Sequence, residues 1–203
     1  MGECVIIYGK SGTGKSRSLK NFGEDEIFLV NTIEKRLPFP KKFKYVITGS
    51  DYSTIIAGLK KMPCKVAVID DFGYQQTLHF MANHGHGDQF KMYNDIADQA
   101  FNLIRFVKTL PEDVIVYLIM HEESNDAGEV KLKTIGKLLD QKVCMEGMVT
   151  VCLRAMKLGT DRYFFRTQSD GTDISKSPEG MLDLEVENDL KAVDTKIREY
   201  WGL

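Results

Sequence analysis

Short runs of consecutive apolar residues alternate along the chain with longer polar or amphipathic segments. Runs of this length that lack helical periodicity are typical of strands buried on both faces of a sheet. Such runs lie at about residues 3–8, 27–30, 45–48, 66–69, 114–120, 148–155 and 163–167. The pattern therefore predicts an α/β protein with a mostly parallel central sheet and helices on both faces.

The segments between these runs predict helices and turns. Residues 93–110 carry apolar side chains at helical spacing, which indicates a helix with one face in the core. The turn composition of residues 158–161 predicts a C-terminal β-hairpin, which an amphipathic helix follows. Helices are expected over about residues 15–22, 53–61, 74–110 with a break at 83–88, and 187–200.

Composition narrows the class of protein. The length of 203 residues predicts one domain over residues 1–203, and 43% hydrophobic with 28% charged residues is typical of soluble proteins. A formal net charge of -2 argues against a uniformly basic nucleic-acid-binding protein but allows a local basic groove. Cysteines without C-x-x-C spacing, no apolar stretch of membrane-spanning length and no signal peptide predict a cytoplasmic protein with free thiols.

The first apolar run leads into a glycine-rich loop that matches the phosphate-loop pattern G-x-x-x-x-G-K-[ST]. Glycines let such a loop turn with its backbone N–H groups pointing inward, toward a phosphate. The ammonium of Lys15 can bridge the β- and γ-phosphates, and the hydroxyl of Ser16 can ligate Mg2+. The loop predicts binding of ATP with Mg2+, and its residues are Gly9, Lys10, Ser11, Gly12, Thr13, Gly14, Lys15 and Ser16.

The apolar run at residues 66–69 ends in two carboxylates, Asp70 and Asp71. A phosphate-loop enzyme needs one carboxylate in the metal shell, directly or through water, opposite the phosphate loop. Asp70 is the predicted metal residue, together with Ser16. Asp71 is a candidate for polarising the attacking water, while the structural alternative for an aspartate at a strand end is a helix cap.

Several segments together resemble the phage-encoded AAA-type ATPases with a RecA core, some of which are described as Sak-type single-strand annealing proteins or minimal RecA-like recombinases. The resemblance covers nearly the whole chain. Its most specific parts are the segment YLIMHEE at residues 117–123 and the tail at residues 168–172 and 176–181; the phosphate loop, residues 68–71 and residues 133–137 also contribute.

This resemblance implies a RecA-like P-loop core with a C-terminal β-hairpin and helix. It also implies an ATPase, slow and stimulated by DNA, that binds single-stranded DNA and acts in phage recombination, annealing or replication. The same resemblance implies a homo-oligomer, in the form of a ring or filament. It further implies a single-strand DNA-binding protein as partner and the host cell cytoplasm as location.

RecA-type ATPases suggest roles for four further residues. Their water-activating glutamate follows the second strand, where this chain has Glu34, so Glu34 is an alternative to Asp71 as catalytic base. A polar residue at the tip of the later apolar strand senses the γ-phosphate, and His121 has that position here. Lys133 and Lys137 lie where such cores have a DNA-facing loop and a basic finger that reaches into the neighbouring subunit.

One basic segment is open to two interpretations. Residues 33–44 combine five lysines and arginines with Phe39 and Phe43, and prolines exclude a helix there. The segment is either a solvated loop or a contact for single-stranded nucleic acid, in which bases stack on the rings.

Two other enzyme classes remain as alternatives. An AAA+ helicase loader carries a helical lid after its core, whereas one helix is expected here after the last strand. A nucleotide or small-molecule kinase usually has several arginines in a mobile lid, whereas those of this chain are scattered. In the ASCE branch of P-loop ATPases, a strand lies between the phosphate-loop strand and the acidic strand. The sequence does not give the spatial order of the strands.

Overall fold

A nine-stranded sheet forms the centre of the molecule. The computed structural model describes residues 1–203. Its strands are β1 (Glu3–Gly9), β2 (Ile27–Asn31), β3 (Tyr45–Thr48), β4 (Val66–Asp70), β5 (Ile115–Ser124), β6 (Val130–Leu132), β7 (Val151–Leu158), β8 (Arg162–Arg166) and β9 (Glu185–Glu187).

The strand order in the sheet is β3-β2-β4-β5-β1-β7-β8-β9, and β6 pairs with β5 outside this path. The five neighbours from β3 to β1, together with β7, run parallel, and the C-terminal strands β8 and β9 are antiparallel additions. In register, Gly9 lies beside His121 and Asn31 beside Asp70. The ends of β1, β5, β4 and β2 therefore meet at one edge of the sheet, and β5 lies between β1 and β4.

The central strands are buried on both faces, as their continuous apolar runs predicted. In β1, Ile6 and Tyr8 belong to the core on one face, whereas Val5 and Ile7 belong to the core on the other. This alternation follows from the two-residue period of a strand. A strand in this position needs apolar residues at every position, so its sequence does not alternate with polar residues.

Four α-helices cover the sheet. The core on the first face receives side chains from α1, α2 and α3, and the core on the second face receives Leu190, Val193 and Ile197 of α4. None of the helices combines the length and apolar composition that crossing a membrane requires. Their bounds are α1 (Tyr52–Lys61), α2 (Phe72–Asn83), α3 (Gln89–Val107) and α4 (Leu190–Trp201).

Aspartates fix where three of these helices begin. The side chain of Asp51 accepts a hydrogen bond from the backbone N–H of Thr54, as expected of the N-cap of α1. Asp88 and Asp189 accept bonds from the first-turn N–H groups of α3 and α4 in the same way. Each cap satisfies donors that have no partner inside the helix.

The segment after the phosphate loop differs from the expected α-helix. Residues Ser16–Asn21 form a 3-10 helix of 6 residues. The hydroxyl of Ser18 donates a 2.6 Å hydrogen bond to the carbonyl of Lys15. Serine side chains that bond to the nearby backbone compete with regular helical bonds, and Gly23 follows closely, so this segment does not extend into a longer helix.

Two short strands were not predicted. The strand β5 continues through Ser124 and forms a hairpin with β6, where the sequence indicated a polar loop. The strand β9 pairs with β8 through only three residues. Elements of three residues are too short to display a period, so the apolar pattern could not reveal them.

Candidate functional site

The phosphate loop connects β1 to the 3-10 helix at the edge where the parallel strands end. Gly14 has a φ of +90°, and a Cβ there would lie 2.7 Å from Cδ1 of Tyr163 and 3.0 Å from Oδ1 of Asn188. Both the backbone conformation and the close packing require glycine. The second glycine of the motif thus brings two distant C-terminal side chains against the loop.

Lys15 is held inside the loop. Its Nζ donates hydrogen bonds to the carbonyl oxygens of Gly9, at 2.9 Å, and Lys10, at 2.8 Å. Burial lowers the pKa of Lys15 to about 8, against the opposing effect of Asp71. An ammonium group has three N–H donors, so one remains for an anion bound in the loop.

Ser16 and Asp70 are in direct contact. The Ser16 hydroxyl donates to Oδ1 of Asp70 at 2.9 Å, and Asp70 is only 3% exposed. Burial and the neighbouring charge of Asp71 raise the pKa of Asp70 to about 6. No group of three or more His, Cys, Asp or Glu side chains is arranged to hold a metal. A Mg2+ ion at this pair would therefore take its other ligands from phosphate oxygens and water, as is common for Mg2+.

Asp71 lies next to this pair in a left-handed backbone conformation, with a φ of +59°. Its side chain does not cap α2. Instead, Oδ2 accepts a hydrogen bond from Lys35, and Oδ1 lies 3.3 Å from Nε2 of His121. Burial acts to raise the pKa of Asp71, but the bonds from His121 and Lys35 outweigh it and lower the pKa to about 2. Each oxygen already accepts one bond from a charged or polar partner and has one more lone pair, so Asp71 can accept from a water but is a weak base while Lys35 and His121 stay in place.

Glu34 is not brought to the phosphate loop. It is exposed, has a φ of +56°, and its backbone N–H bonds to the carbonyl of Asn31. This turn directs the next residue, Lys35, to Asp71 instead. Lys35 was not predicted as a site residue, although its place after β2 was a usable signal, because parallel strands end at one edge.

His121 is where the expected γ-phosphate sensor would be. It continues β5 beside Gly9, contacts Asp71, and packs edge-on against Tyr74 with ring centroids 5.8 Å apart. The backbone N–H of Lys133 donates to the carbonyl of His121 at 2.9 Å. Lys133 thus lies near the site of its own chain, whereas Lys137 is exposed and lines neither of the two cavities described next.

A cavity of about 310 Å3 opens over the loop. Four cations line it, Lys15, Arg17, Lys35 and Arg36, against the single carboxylate Asp71, so it is suited to an anion. Its full lining is Ser11, Gly12, Gly14, Lys15, Ser16, Arg17, Lys35, Arg36, Pro38, Asp71, His121 and Tyr163. Arg17, Lys35, Arg36 and Tyr163 had not been singled out as site residues in the sequence.

A larger cleft of about 690 Å3 adjoins this cavity, and the two share Ser11, Lys35 and His121. Tyr74, which is 38% exposed, lies on its α2 side. The cleft combines apolar and aromatic side chains with lysines. The rest of its lining is Lys10, Ile33, Gly73, Thr77, Phe80, Met81, Glu122, Lys133 and Ile135.

The aromatic rings of the basic segment at residues 33–44 serve the core. Phe43 is buried and meets Phe39 edge-on, with centroids 6.4 Å apart. Nζ of Lys41 donates to the carbonyls of Lys20 and Phe22. Phe43 is therefore not available to stack on a base, and the segment meets the candidate site through Lys35 and Arg36 instead.

An ion-pair cluster supports the site from the C-terminal side. Arg154 of β7 makes a two-pronged contact with Glu122, at 2.8 and 2.9 Å, and a third contact with Asp173 at 3.3 Å. The hydroxyl groups of Tyr8 and Ser175 are joined at 2.9 Å. These contacts fasten the tail segment and the end of β5 to β1 and β7.

No protein-family model matches the chain, and no curated protein matches it significantly. Lys15, Ser16 and Asp70 meet at one edge of the sheet, with Asp71 and His121 beside them.

Proposed function

We propose that the protein is an Mg-ATP-binding P-loop ATPase with a RecA-like core that binds single-stranded DNA and acts in phage DNA recombination, annealing or replication. The observation that carries this proposal is the Ser16–Asp70 contact beside a lysine-containing loop. The position of β5 between β1 and β4 supports the ASCE branch of P-loop ATPases.

The cavity over the loop fits a polyphosphate. The free N–H donor of Lys15 and the side chains of Arg17, Lys35 and Arg36 provide positive charge on its walls. Charge-assisted hydrogen bonds of this kind are the strong ones in phosphate recognition. The loop's glycines keep side chains out of the space that phosphate oxygens need.

Ser16 and Asp70 would hold the Mg2+ ion. When bound, the ion would supply positive charge against the negative charge that develops on the phosphate oxygens during phosphoryl transfer. The raised pKa of Asp70 supports this assignment, because burial and the charge of Asp71 outweigh the nearby Lys35 and Lys15, and a bound cation would favour the charged carboxylate.

Hydrolysis requires a group that orients water. Asp71 is the nearer of the two proposed bases, since it lines the cavity and Glu34 does not. A γ-phosphate near His121 and Lys35 would compete with Asp71 for their N–H donors, which would make Asp71 a stronger base toward water. His121 would then report the presence of the γ-phosphate, as proposed for a sensor.

The adjoining cleft supports a role in binding single-stranded DNA. Proteins that bind single strands combine aromatic rings, on which bases stack, with cations that contact the phosphates. Tyr74 and Phe80 provide rings, and Lys10 and Lys133 provide charge.

We further propose a homo-oligomer, a ring or filament, in which ATP binding favours assembly on DNA and a lysine such as Lys133 or Lys137 completes a neighbour's site. A single-strand DNA-binding protein is the proposed partner.

A kinase is the second candidate, because the same cleft opens onto the proposed γ-phosphate position through Ser11, Lys35 and His121. An acceptor molecule in that cleft would lie beside the group to be transferred. Transfer of the γ-phosphate of ATP to a nucleoside or nucleotide would favour this function. The helicase-loader alternative has less support, since α4 is the one α-helix after the last strand.

The proposal is tested by measuring ATP hydrolysis with and without single-stranded DNA, with light scattering on the same samples. We expect DNA to stimulate hydrolysis and to increase particle size. Lys15→Ala should abolish both effects, whereas Lys61→Ala, at the exposed end of α1, should change neither. Normal ATP binding and assembly by Lys15→Ala would contradict the proposal.

A further inference from the structure

The cavity of about 310 Å3 over the phosphate loop is called the phosphate cavity here. A third cavity, of about 540 Å3, lies on its other side. The two cavities share Arg17 and Tyr163. The phosphate cavity therefore has two open ends, one at Arg17 and Tyr163 and the other at Ser11, Lys35 and His121. A nucleoside triphosphate whose phosphates lie in the loop has to extend its nucleoside through one of these ends.

The direction of the polyphosphate follows from the loop chemistry. The lysine of a phosphate loop reaches the β- and γ-phosphates, and the metal bridges the same two groups. The metal pair Ser16–Asp70 adjoins Asp71, which contacts Lys35 and His121. The γ-phosphate thus belongs at the Lys35 end, and the nucleoside extends toward Arg17.

Asn188 provides an independent sign of a ligand in this third cavity. It is 5% exposed, lines the cavity, and packs against Gly14 of the loop. Arg17 donates to it at 3.3 Å, and because a guanidinium can only donate, the amide oxygen faces Arg17. Its Nδ2 has no hydrogen-bond partner and less than 1 Å2 of exposed area, so the amide has to turn toward the cavity before Nδ2 can donate to a ligand. A buried donor without a partner is costly, and a bound acceptor would remove that cost.

The neighbouring side chains suit a flat, polar ring. The guanidinium carbon of Arg17 lies over the ring of Tyr163, 4.5 Å from its centroid, and Nζ of Lys157 lies 4.9 Å from the same centroid. Arg17, rather than the Tyr163 ring that it covers, is therefore the planar group on which a base can stack. Asp161 and Glu187 line the cavity and have no ion-pair partner within 4.0 Å, so their carboxylates can accept bonds from an exocyclic amino group.

We infer that this cavity is the nucleobase subsite of the proposed ATP site, and that Nδ2 of Asn188 donates a hydrogen bond to a ring nitrogen of the base. The inference rests on the proposed function for the phosphates but assigns separate residues to the base. Inorganic tripolyphosphate, which has no base, therefore distinguishes the two.

The first experiment measures the affinities of MgATP and of Mg-tripolyphosphate for the wild-type protein and two variants. Asn188→Ala should weaken ATP binding about three- to tenfold and leave tripolyphosphate unchanged. Asn188→Leu removes the amide at a similar side-chain size without adding a charge beside the phosphates, so it should show the same selective loss. Asn102→Ala is the control, because Asn102 is an exposed asparagine of α3 that lines none of the three cavities.

Equal losses for ATP and tripolyphosphate, or no loss for either, in Asn188→Leu would overturn the inference. If neither ligand binds to the wild-type protein, the proposed function itself fails, which is a different result. Thermal unfolding of each variant identifies any that does not fold.

A second experiment does not depend on a variant. Photolabelling of the wild-type protein with 8-azido-ATP should modify peptides that contain residues 161–164 or 185–189, which line the cavity. Labelling of residues 74–81 on α2 would overturn the inference, since it would mean that the base lies in the cleft at the other end.

Discussion

The hydroxyl of Ser16 donates a 2.9 Å hydrogen bond to Asp70, although 54 positions separate the two residues. The contact joins the segment after β1 to the end of β4, across the end of β5 that lies between these strands. Two residues chosen from separate sequence motifs as metal ligands are therefore adjacent. The charged side chains at and beside this pair are therefore the first to test for effects on stability and ligand binding.

Asp70→Asn should stabilise the protein at high pH. The pKa of Asp70 is about 6 in the folded state, against 3.8 for an ordinary aspartate, so folding becomes less favourable as pH rises from about 3.8 to about 6 and changes little above that. Removing the charge should increase the free energy of unfolding at pH 8 by up to about 3 kcal/mol and change it little at pH 4. Urea unfolding at both pH values measures this.

Asp71→Asn is the matched comparison and should have the opposite sign. The pKa of Asp71 is lowered to about 2, so its contribution to stability is present above its ordinary pKa and is lost as pH falls toward 2. The variant should be less stable than wild type at pH 8. If Asp70→Asn were also less stable than wild type at pH 8, the opposite pKa shifts of the two carboxylates would be contradicted.

Nucleotide affinity should depend on the protonation of Lys15. Below pH 8 the ammonium is charged in the free protein, and above this pH it has to take up a proton before it can bind phosphate. Affinity for MgATP should therefore fall by up to about tenfold per pH unit above 8. Lys15→Arg should have a flat profile over the same range, because a guanidinium stays protonated. An unchanged wild-type affinity between pH 7 and 9.5 would exclude this role.

Lys35→Ala should weaken MgATP binding by about tenfold, since it removes one of four cations from the cavity walls. Lys44→Ala is the control from the same basic segment, because Lys44 lies over the ring of Tyr45 and outside the cavity. Equilibrium titration of both variants measures the difference. Equal affinities of the two variants for MgATP would mean that Lys35 pairs only with Asp71 and does not contact the nucleotide.

Arg154→Met should destabilise the fold by about 3 to 5 kcal/mol. The change leaves the carboxylate of Glu122 without its charged partner, and Asp173 would keep only its 3.4 Å contact with Arg166. Arg162→Met removes the exposed pair with Glu185 and should cost less than about 1 kcal/mol. Chemical denaturation of the two variants compares a buried with an exposed pair, and equal losses would mean that Glu122 and Asp173 find other partners.

Lys133→Ala should weaken binding of single-stranded DNA and reduce the slope of log affinity against log salt by about one. Lys133 lines the cleft next to Lys10, whereas Lys137 is exposed outside it. Lys137→Ala should therefore have the smaller effect on a protein acting alone. The reverse order would indicate that DNA follows a different surface.

Local sequence patterns predicted seven of the nine strands, most helices and the central motif residues. Continuous apolar runs are the direct consequence of burial on both faces, so β1, β4 and β5 could be recognised without any knowledge of their neighbours. Lys15, Ser16 and Asp70 follow from local patterns in the same way, because a phosphate loop and a strand-end acid are each contained in a few consecutive residues.

The contacts between side chains that are distant in the sequence could not be predicted from local patterns and are seen only in the folded molecule. A one-residue difference in a turn brings Lys35 to Asp71 and leaves Glu34 exposed, and no periodic pattern records the direction of a turn. Asn188 reaches Gly14 because β9 pairs with β8, an element too short to be read from the chain. Local sequence encodes burial and backbone preference, whereas contacts between segments depend on strand order and on close packing.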